Sequence, residues 1–251
     1  MTTVLAALDA DAAAQPVLRT ALALGPLFEA SVVALHVREN GASLPAQLTS
    51  AAGVELREIT GSAIELIASA AQSPDVAALV LGARAMHGGV QPGGHTALAV
   101  ITRVSKPVVV VPPNARPREQ LARVLVPLDG TSESARALDD VLQLPQAERL
   151  EVLVLHVYSP ATVPEFFNHD PHATRARERE FLSRNISTPR DSVKLLHFLG
   201  VPADDIAAVA GETNADLIVL AWRQNLAGGS ARVVSETLAH SNIPVLLLPV
   251  A

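Results

Sequence analysis

The stretch Val124-Leu125-Val126-Pro127-Leu128-Asp129-Gly130-Thr131-Ser132 is a short apolar run that stops on an acid and a turn. A weaker copy, Val4-Leu5-Ala6-Ala7-Leu8-Asp9, stands near the start of the chain. A continuous apolar run of this length fits a strand covered on both faces, since a strand with one wet face would alternate. The same succession of patterns follows each copy. Asp9 pairs with Asp129 and His36 with His156, both 120 residues apart, whereas Asp75 with Asp216 and Pro107 with Pro244 are 141 and 137 apart. The chain therefore reads as one unit written twice. The second copy is longer between its second and third strands, and the added length falls in 158–191, which carries a charged helical stretch from Thr174 to Arg184.

In the first copy, strands are predicted at Val4–Leu8, Ser31–Val37, Val54–Ile59, Val76–Leu81 and Pro107–Val111. The third alternates and reads as an edge strand. Helical spacing of apolar residues predicts helices at Gln15–Phe28, Ala63–Ala71 with Ser62 as its cap, and about Thr96–Val104, with a short one near Ala46–Ala52. In the second copy, strands are expected at Val124–Leu128, Leu150–Val157, Val193–Phe198, Leu217–Leu220 and Pro244–Leu248, and helices at Ser134–Leu144, Ala203–Glu212 and about Ala231–His240. Strands alternating with helices predict parallel sheets built from right-handed βαβ units. The expected organisation is two domains, 1–114 and 122–251, joined by a linker at 115–121, with the two halves packed on each other.

Composition narrows the function. Hydrophobic residues make up 49% of the 251 positions but aromatics only 3%, so the core is Ala, Val and Leu packing. A net charge of -6 with no long basic run argues against nucleic acid, which requires clustered Lys and Arg. There are no cysteines, which excludes disulfides and thiolate metal sites. No apolar run approaches the ~18 residues of a membrane helix. The start, Met1-Thr2-Thr3, lacks the basic and apolar regions of a secretory signal, and a cytoplasmic location is expected.

The strand ending in Asp129-Gly130-Thr131-Ser132, the strands ending Leu35-His36-Val37 and Leu155-His156-Val157, the run Ala215-Asp216-Leu217-Ile218-Val219-Leu220 and the closing Pro244-Val245-Leu246-Leu247-Leu248-Pro249 together resemble the universal stress protein family. The resemblance covers nearly the whole chain as two tandem copies. It implies an α/β fold of two tandem five-stranded, parallel, doubly wound sheets of order 3-2-1-4-5, with helices on both faces. It also implies a pseudo-dimer within one chain, family members often dimerising through the fifth strand. A homodimer and unidentified protein partners are left open. The order turns back between strands one and four, and ligands of such sheets bind in the crevice at the carboxyl ends there.

ATP-binding members of the family carry Gly-x2-Gly-x9-Gly-Ser/Thr after strand four, where glycine lets backbone amides approach phosphate. The first half offers Gly82-x2-Ala85, then eight residues and Gly94-His95-Thr96, with Gly88, Gly89 and Gly93 between. The resemblance implies ATP contacts from Asp9, Val37, Gly82, Gly94, His95 and Thr96; the competing reading is a loop that simply closes the sheet. The Asp11 carboxylate stands where Ser or Thr is usual, adding negative charge near any phosphate. The second half keeps Ala221 and Gln224 at the matching places, with Trp222 where a small residue would leave room. Its crevice, formed by Asp129, Val157, Gly228, Gly229, Ser230 and Arg232, reads as degenerate: a small-anion site, or a tight loop with Ser230 as N-cap.

Asp9 and Asp129 either face the adenosine or cap their own turns. His36 and His156 are core or crevice groups. His169 and His172 make a weak zinc pattern, better read as a surface loop. No Gly-x-Ser-x-Gly, Walker loop or paired-metal pattern is present. The functional expectation is a stress-response regulatory module that binds an adenine nucleotide in its first half and is not a dedicated enzyme. The alternative is a dimerisation or protein-interaction module without nucleotide. Slow ATP hydrolysis would need an activated water with no identifiable base.

Overall fold

The computed structural model describes residues 2–10, 14–39, 44, 48, 53–83, 95–158, 180–182, 184, 192–225 and 229–250. In the first half the elements are β1 (Thr3–Leu8), α1 (Ala14–Leu24), β2 (Ser31–Arg38), β3 (Glu55–Thr60), α2 (Ala63–Ala71), β4 (Val76–Gly82), α3 (His95–Ile101) and β5 (Val108–Val111). The second half repeats them as β6 (Arg123–Pro127), α4 (Ser132–Leu142), β7 (Glu151–Tyr158), β8 (Val193–Leu199), α5 (Pro202–Glu212), β9 (Leu217–Trp222), α6 (Gly229–His240) and β10 (Val245–Pro249).

The strand order is β3-β2-β1-β4-β5-β10-β9-β6-β7-β8, one ten-stranded sheet. This corrects the expectation of two separate five-stranded sheets. Each half keeps the 3-2-1-4-5 order, but β5 and β10 pair antiparallel, Val110 with Val245, Val109 with Leu246 and Val108 with Leu247. The physical reason lies in those strands. β5 is Val-Val-Val-Val and β10 is Val-Leu-Leu-Leu-Pro, buried throughout except for Pro249, and neither carries the charges that protect a free edge. β3, at a true edge, is Glu-Leu-Arg-Glu-Ile-Thr, largely exposed.

Alternation along the strands splits the core between the two faces. Val4, Ala6 and Leu8 of β1 belong to one cluster with Val17, Leu18 and Ala21 of α1, which continues to Ala137, Leu138 and Val141 of α4 in the other half. Leu5 and Ala7 face the other layer, with Ile67 of α2, Ile101 of α3, Ile206 of α5 and Val234 of α6. Both clusters run through β5 and β10 into the opposite half, so the halves share their core.

Several ends differ from the sequence expectation. Gly25-Pro26 breaks the first helix, leaving α1 at Ala14–Leu24 and a 3-10 turn at Pro26–Phe28. Ser62 takes the N-cap position of α2, but its side chain makes no cap bond; the Ala63 amide donates instead to Glu39 Oε1 at 2.7 Å. α3 is shorter than expected, ending at Ile101. α6 starts at Gly229, so Ser230 lies inside its first turn and is not the cap. β9 runs on to Trp222. Near the expected helix at Ala46–Ala52, only Leu48 lies within the described residues.

Candidate functional site

β1 and β6 each end where their half of the sheet reverses direction, and the same contact fixes both ends. The ring of His36, in β2, donates from Nδ1 to the Leu8 carbonyl at 2.9 Å. His156, in β7, donates from Nδ1 to the Leu128 carbonyl at 2.7 Å. A carbonyl only accepts, so this bond sets the tautomer. His36 is buried and His156 half-buried; each holds the strand end directly before the acid.

Asp129 caps its own turn. Its Oδ1 accepts from the Thr131 amide at 3.0 Å, the Thr131 hydroxyl at 2.6 Å and the Ser134 hydroxyl at 2.6 Å. Gly130 makes the turn possible with φ +85°, a conformation that costs glycine nothing. Thr131 is in turn the N-cap of α4, accepting from the Ser134 amide. Burial by itself would raise the Asp129 carboxyl, but the hydrogen bonds from Ser134 and Thr131 outweigh it and hold the group below the usual carboxylate range. In the first half, Asp9 is exposed and its Oδ1 accepts from the Ala10 amide at 2.8 Å. Asp11 lies outside the described residues.

Sheet register shows which residues correspond at the other side of each crevice. Leu5 pairs with Leu79 in the first half, and Leu125 with Ile218 in the second. Three residues further on, Gly82, the last residue of β4, and Ala221, the last but one of β9, are equivalents. Gly82 is half-buried beside Val111. Ala221 is followed by Trp222, which sequence reasoning placed in the way of a phosphate. Trp222 instead turns into the core, 2% exposed, and its Nε1 donates to the Ile101 carbonyl at 3.2 Å. Gln224, at the place of the motif's second glycine, keeps a glycine-like backbone at φ 55°, and its Nε2 donates to the Val104 carbonyl at 2.5 Å. Between them Arg223 pairs with Glu133 of α4 at 2.6 Å, bridging the carboxyl ends of β9 and β6. The second crevice is therefore crossed by an ion pair, and its loop residues grip the opposite half.

The remaining candidates are placed as follows. Val37 and Val157 are half-buried at the ends of β2 and β7, against the cluster that holds α2, α3, α5 and α6. His95 begins α3 and Thr96 follows it, exposed. Gly94 and Gly228 lie outside the described residues, as do Ala85, Gly88, Gly89, Gly93, His169 and His172. Gly229 and Ser230 open α6. Arg232, expected to aid an anion, is exposed and faces the Asp204 carboxylate of α5 at 3.9 Å instead. In the charged stretch of the insertion, Arg184 pairs with Glu180 one helical turn away at 2.5 Å.

Sequence reasoning missed the amino ends of β9 and β10. A groove of about 500 Å³ opens there among Asn114, Arg116, Arg118, Asn214, Asp216 and Asn242. In the first half, Lys106 Nζ donates to the carbonyls of Ser73 and Val76; the residue before the matching proline in the second half is Ile243, which brings no such donor. Among the described residues no group of three or more His, Cys, Asp or Glu side chains could hold a metal ion, and no helix is long and apolar enough to cross a membrane.

A doubly wound sheet with a switch point in each half defines an α/β protein of the open-sheet class. A family model described as the universal stress protein family matches residues 121–249. The chain belongs to the universal stress protein family. Among solved structures it is similar to a universal stress protein from Archaeoglobus fulgidus, 18% identical, with 98% of this chain and 96% of that one covered and a TM-score of 0.67. It is also similar to a functionally unknown protein from Pseudomonas aeruginosa, 13% identical, with 99% and 92% covered and a TM-score of 0.69. These likenesses extend the shared fold over both halves. None of the curated proteins matches the chain.

Proposed function

We propose that the protein is a regulatory module of two tandem universal stress domains, 1–114 and 122–251 with the linker 115–121, that takes one adenine nucleotide, ATP, in its first crevice. The observation that carries this reading is the contrast between equivalent positions. β4 closes on Gly82, where backbone can approach a phosphate, whereas the second half spends Trp222, Arg223 and Gln224 on protein contacts. Asp9 and Val37 form the adenosine side of the first crevice, and Gly82, Gly94, His95 and Thr96 the phosphate side. The module acts in the cytoplasm by binding and not by turnover. The halves form a pseudo-dimer; the β5–β10 pairing occupies both fifth-strand edges, so a second copy or a protein partner meets another surface.

A second reading, a protein-interaction module without nucleotide, is favoured by one observation: Asp129, the acid of the better-matching half, is committed to its own cap. The two readings separate on denaturing freshly purified protein and analysing what it releases. The nucleotide reading expects adenine nucleotide, lost in Asp9→Ala and retained in Asp129→Ala. No release, with no heat on adding ATP, would leave the interaction module.

A further inference from the structure

The antiparallel join sets the two crevices at opposite ends of the sheet. β9 runs parallel to β10 and β10 antiparallel to β5, so the carboxyl end of β9 lies beside the amino end of β5. Trp222 pairs with Pro249, two residues beyond the Leu247–Val108 pair. α3 connects the parallel strands β4 and β5, so it starts at the carboxyl end of its own half and finishes beside the second crevice. Its seven residues span about 10 Å, with His95 and Thr96 at one end and the carbonyls of Ile101 and Val104 at or just past the other.

A helix leaves its last carbonyls short of intrahelical partners; here the amides of Thr102, Arg103 and Val104 reach Leu98 and Val100, and side chains complete the set. The Thr102 hydroxyl donates to Leu98 and Ala99, and Gln72 Nε2 donates to Arg103 at 3.0 Å. The other two donors come from the second half: Trp222 to Ile101 and Gln224 to Val104. Gln224 holds its left-handed backbone, unusual for a residue with a side chain, while it makes this bond. At the matching end of α6 the Ser241 hydroxyl donates to the Ile243 carbonyl of its own half at 2.7 Å. Among the described residues the cross-half grip falls on α3.

We propose that Trp222 and Gln224 are positioning residues for the first crevice, acting through α3, and that occupancy of that crevice is transmitted along α3 to the second-half loop. This rests on the nucleotide reading above. A ligand that orders the start of α3 strengthens the grip at its end, and by thermodynamic reciprocity the grip raises affinity for the ligand. A crevice that no longer binds on its own account would then sense its neighbour.

Trp222 is the single tryptophan of the chain, so its emission reports the grip directly. The test titrates ATP into the full chain, following heat by calorimetry and Trp222 emission on the same sample. It then repeats the heat measurement with Gln224→Gly, which keeps the left-handed backbone and removes the amide. The expected result is binding heat, an emission change that saturates at the same concentration, and an affinity in the variant weaker by about threefold to tenfold, the worth of one net hydrogen bond. Heat with unchanged emission, or an unchanged affinity in Gln224→Gly, overturns the coupling and leaves the nucleotide reading standing. No heat with the unaltered chain overturns the nucleotide reading and the coupling with it.

Discussion

Trp222 Nε1, at the carboxyl end of β9, donates to the Ile101 carbonyl at the C-terminus of α3, 3.2 Å away across the join between the halves. Trp222→Phe keeps most of the buried aromatic area and removes the donor. The orphaned carbonyl is then expected to cost about 1–3 kcal/mol, read as a lower urea midpoint by far-ultraviolet circular dichroism. An unchanged midpoint would mean that the bond contributes nothing to holding the halves together.

Asp216 ties the segment before β6 to the sheet. Its side chain is 3% exposed and accepts from Arg118 Nε at 2.9 Å, and its Oδ2 takes the amides of Ala122 and Arg123, both at 2.9 Å. Asp216→Ala leaves two amides without their charged acceptor, an expected loss of about 2–4 kcal/mol. Arg118 is 60% exposed, so Arg118→Ala should cost no more than about 1 kcal/mol. Chemical denaturation of both variants decides; equal losses would show that the ion pair, not the amide bonds, holds this segment.

The Asp129 cap makes stability depend on pH in one direction. The folded carboxyl lies below its unfolded value, so the folded state favours the charged form, and its contribution is present above the unfolded value. That contribution fades as pH falls through the folded one. Thermal midpoints of the wild type and Asp129→Asn should differ at neutral pH and converge below about pH 4. A gap that persists in acid would place the effect in geometry, not in charge.

Thr237 is 1% exposed in α6, and its hydroxyl oxygen has no hydrogen-bond partner among the described residues. Valine has the same branched shape without the polar atom. Thr237→Val is therefore expected to raise stability by about 1 kcal/mol, measured as a higher urea midpoint. Destabilisation would reveal a hydroxyl contact.

Most strands were legible because they are largely apolar runs, β3 by its alternation. The repeat followed from the paired anchors, and the order within each half was implied by the family resemblance alone. The fusion of the sheet was half visible. Neither Val108–Val111 nor Val245–Pro249 bears an edge-protecting charge, which says that both edges are covered but not by what. His36 and His156 could be placed in strands, but their bonds to Leu8 and Leu128 depend on register between neighbouring strands. Trp222 departs from its sequence expectation for a related reason. Sequence places it after Ala221, at the crevice, whereas strand alternation turns the side chain into the core and the antiparallel join brings it to α3. Only three-dimensional neighbours distinguish those fates, and the left-handed backbone of Gln224 has no signature in a residue type that usually avoids it.

The most direct measurement is the ATP stoichiometry of the full chain by native mass spectrometry. One nucleotide per chain, lost in Asp9→Ala and kept in Asp129→Ala, is the predicted result for a working first crevice and a second one given over to contact between the halves. Two nucleotides per chain, or one that survives Asp9→Ala and disappears with Asp129→Ala, would contradict that division, and none would remove the nucleotide altogether.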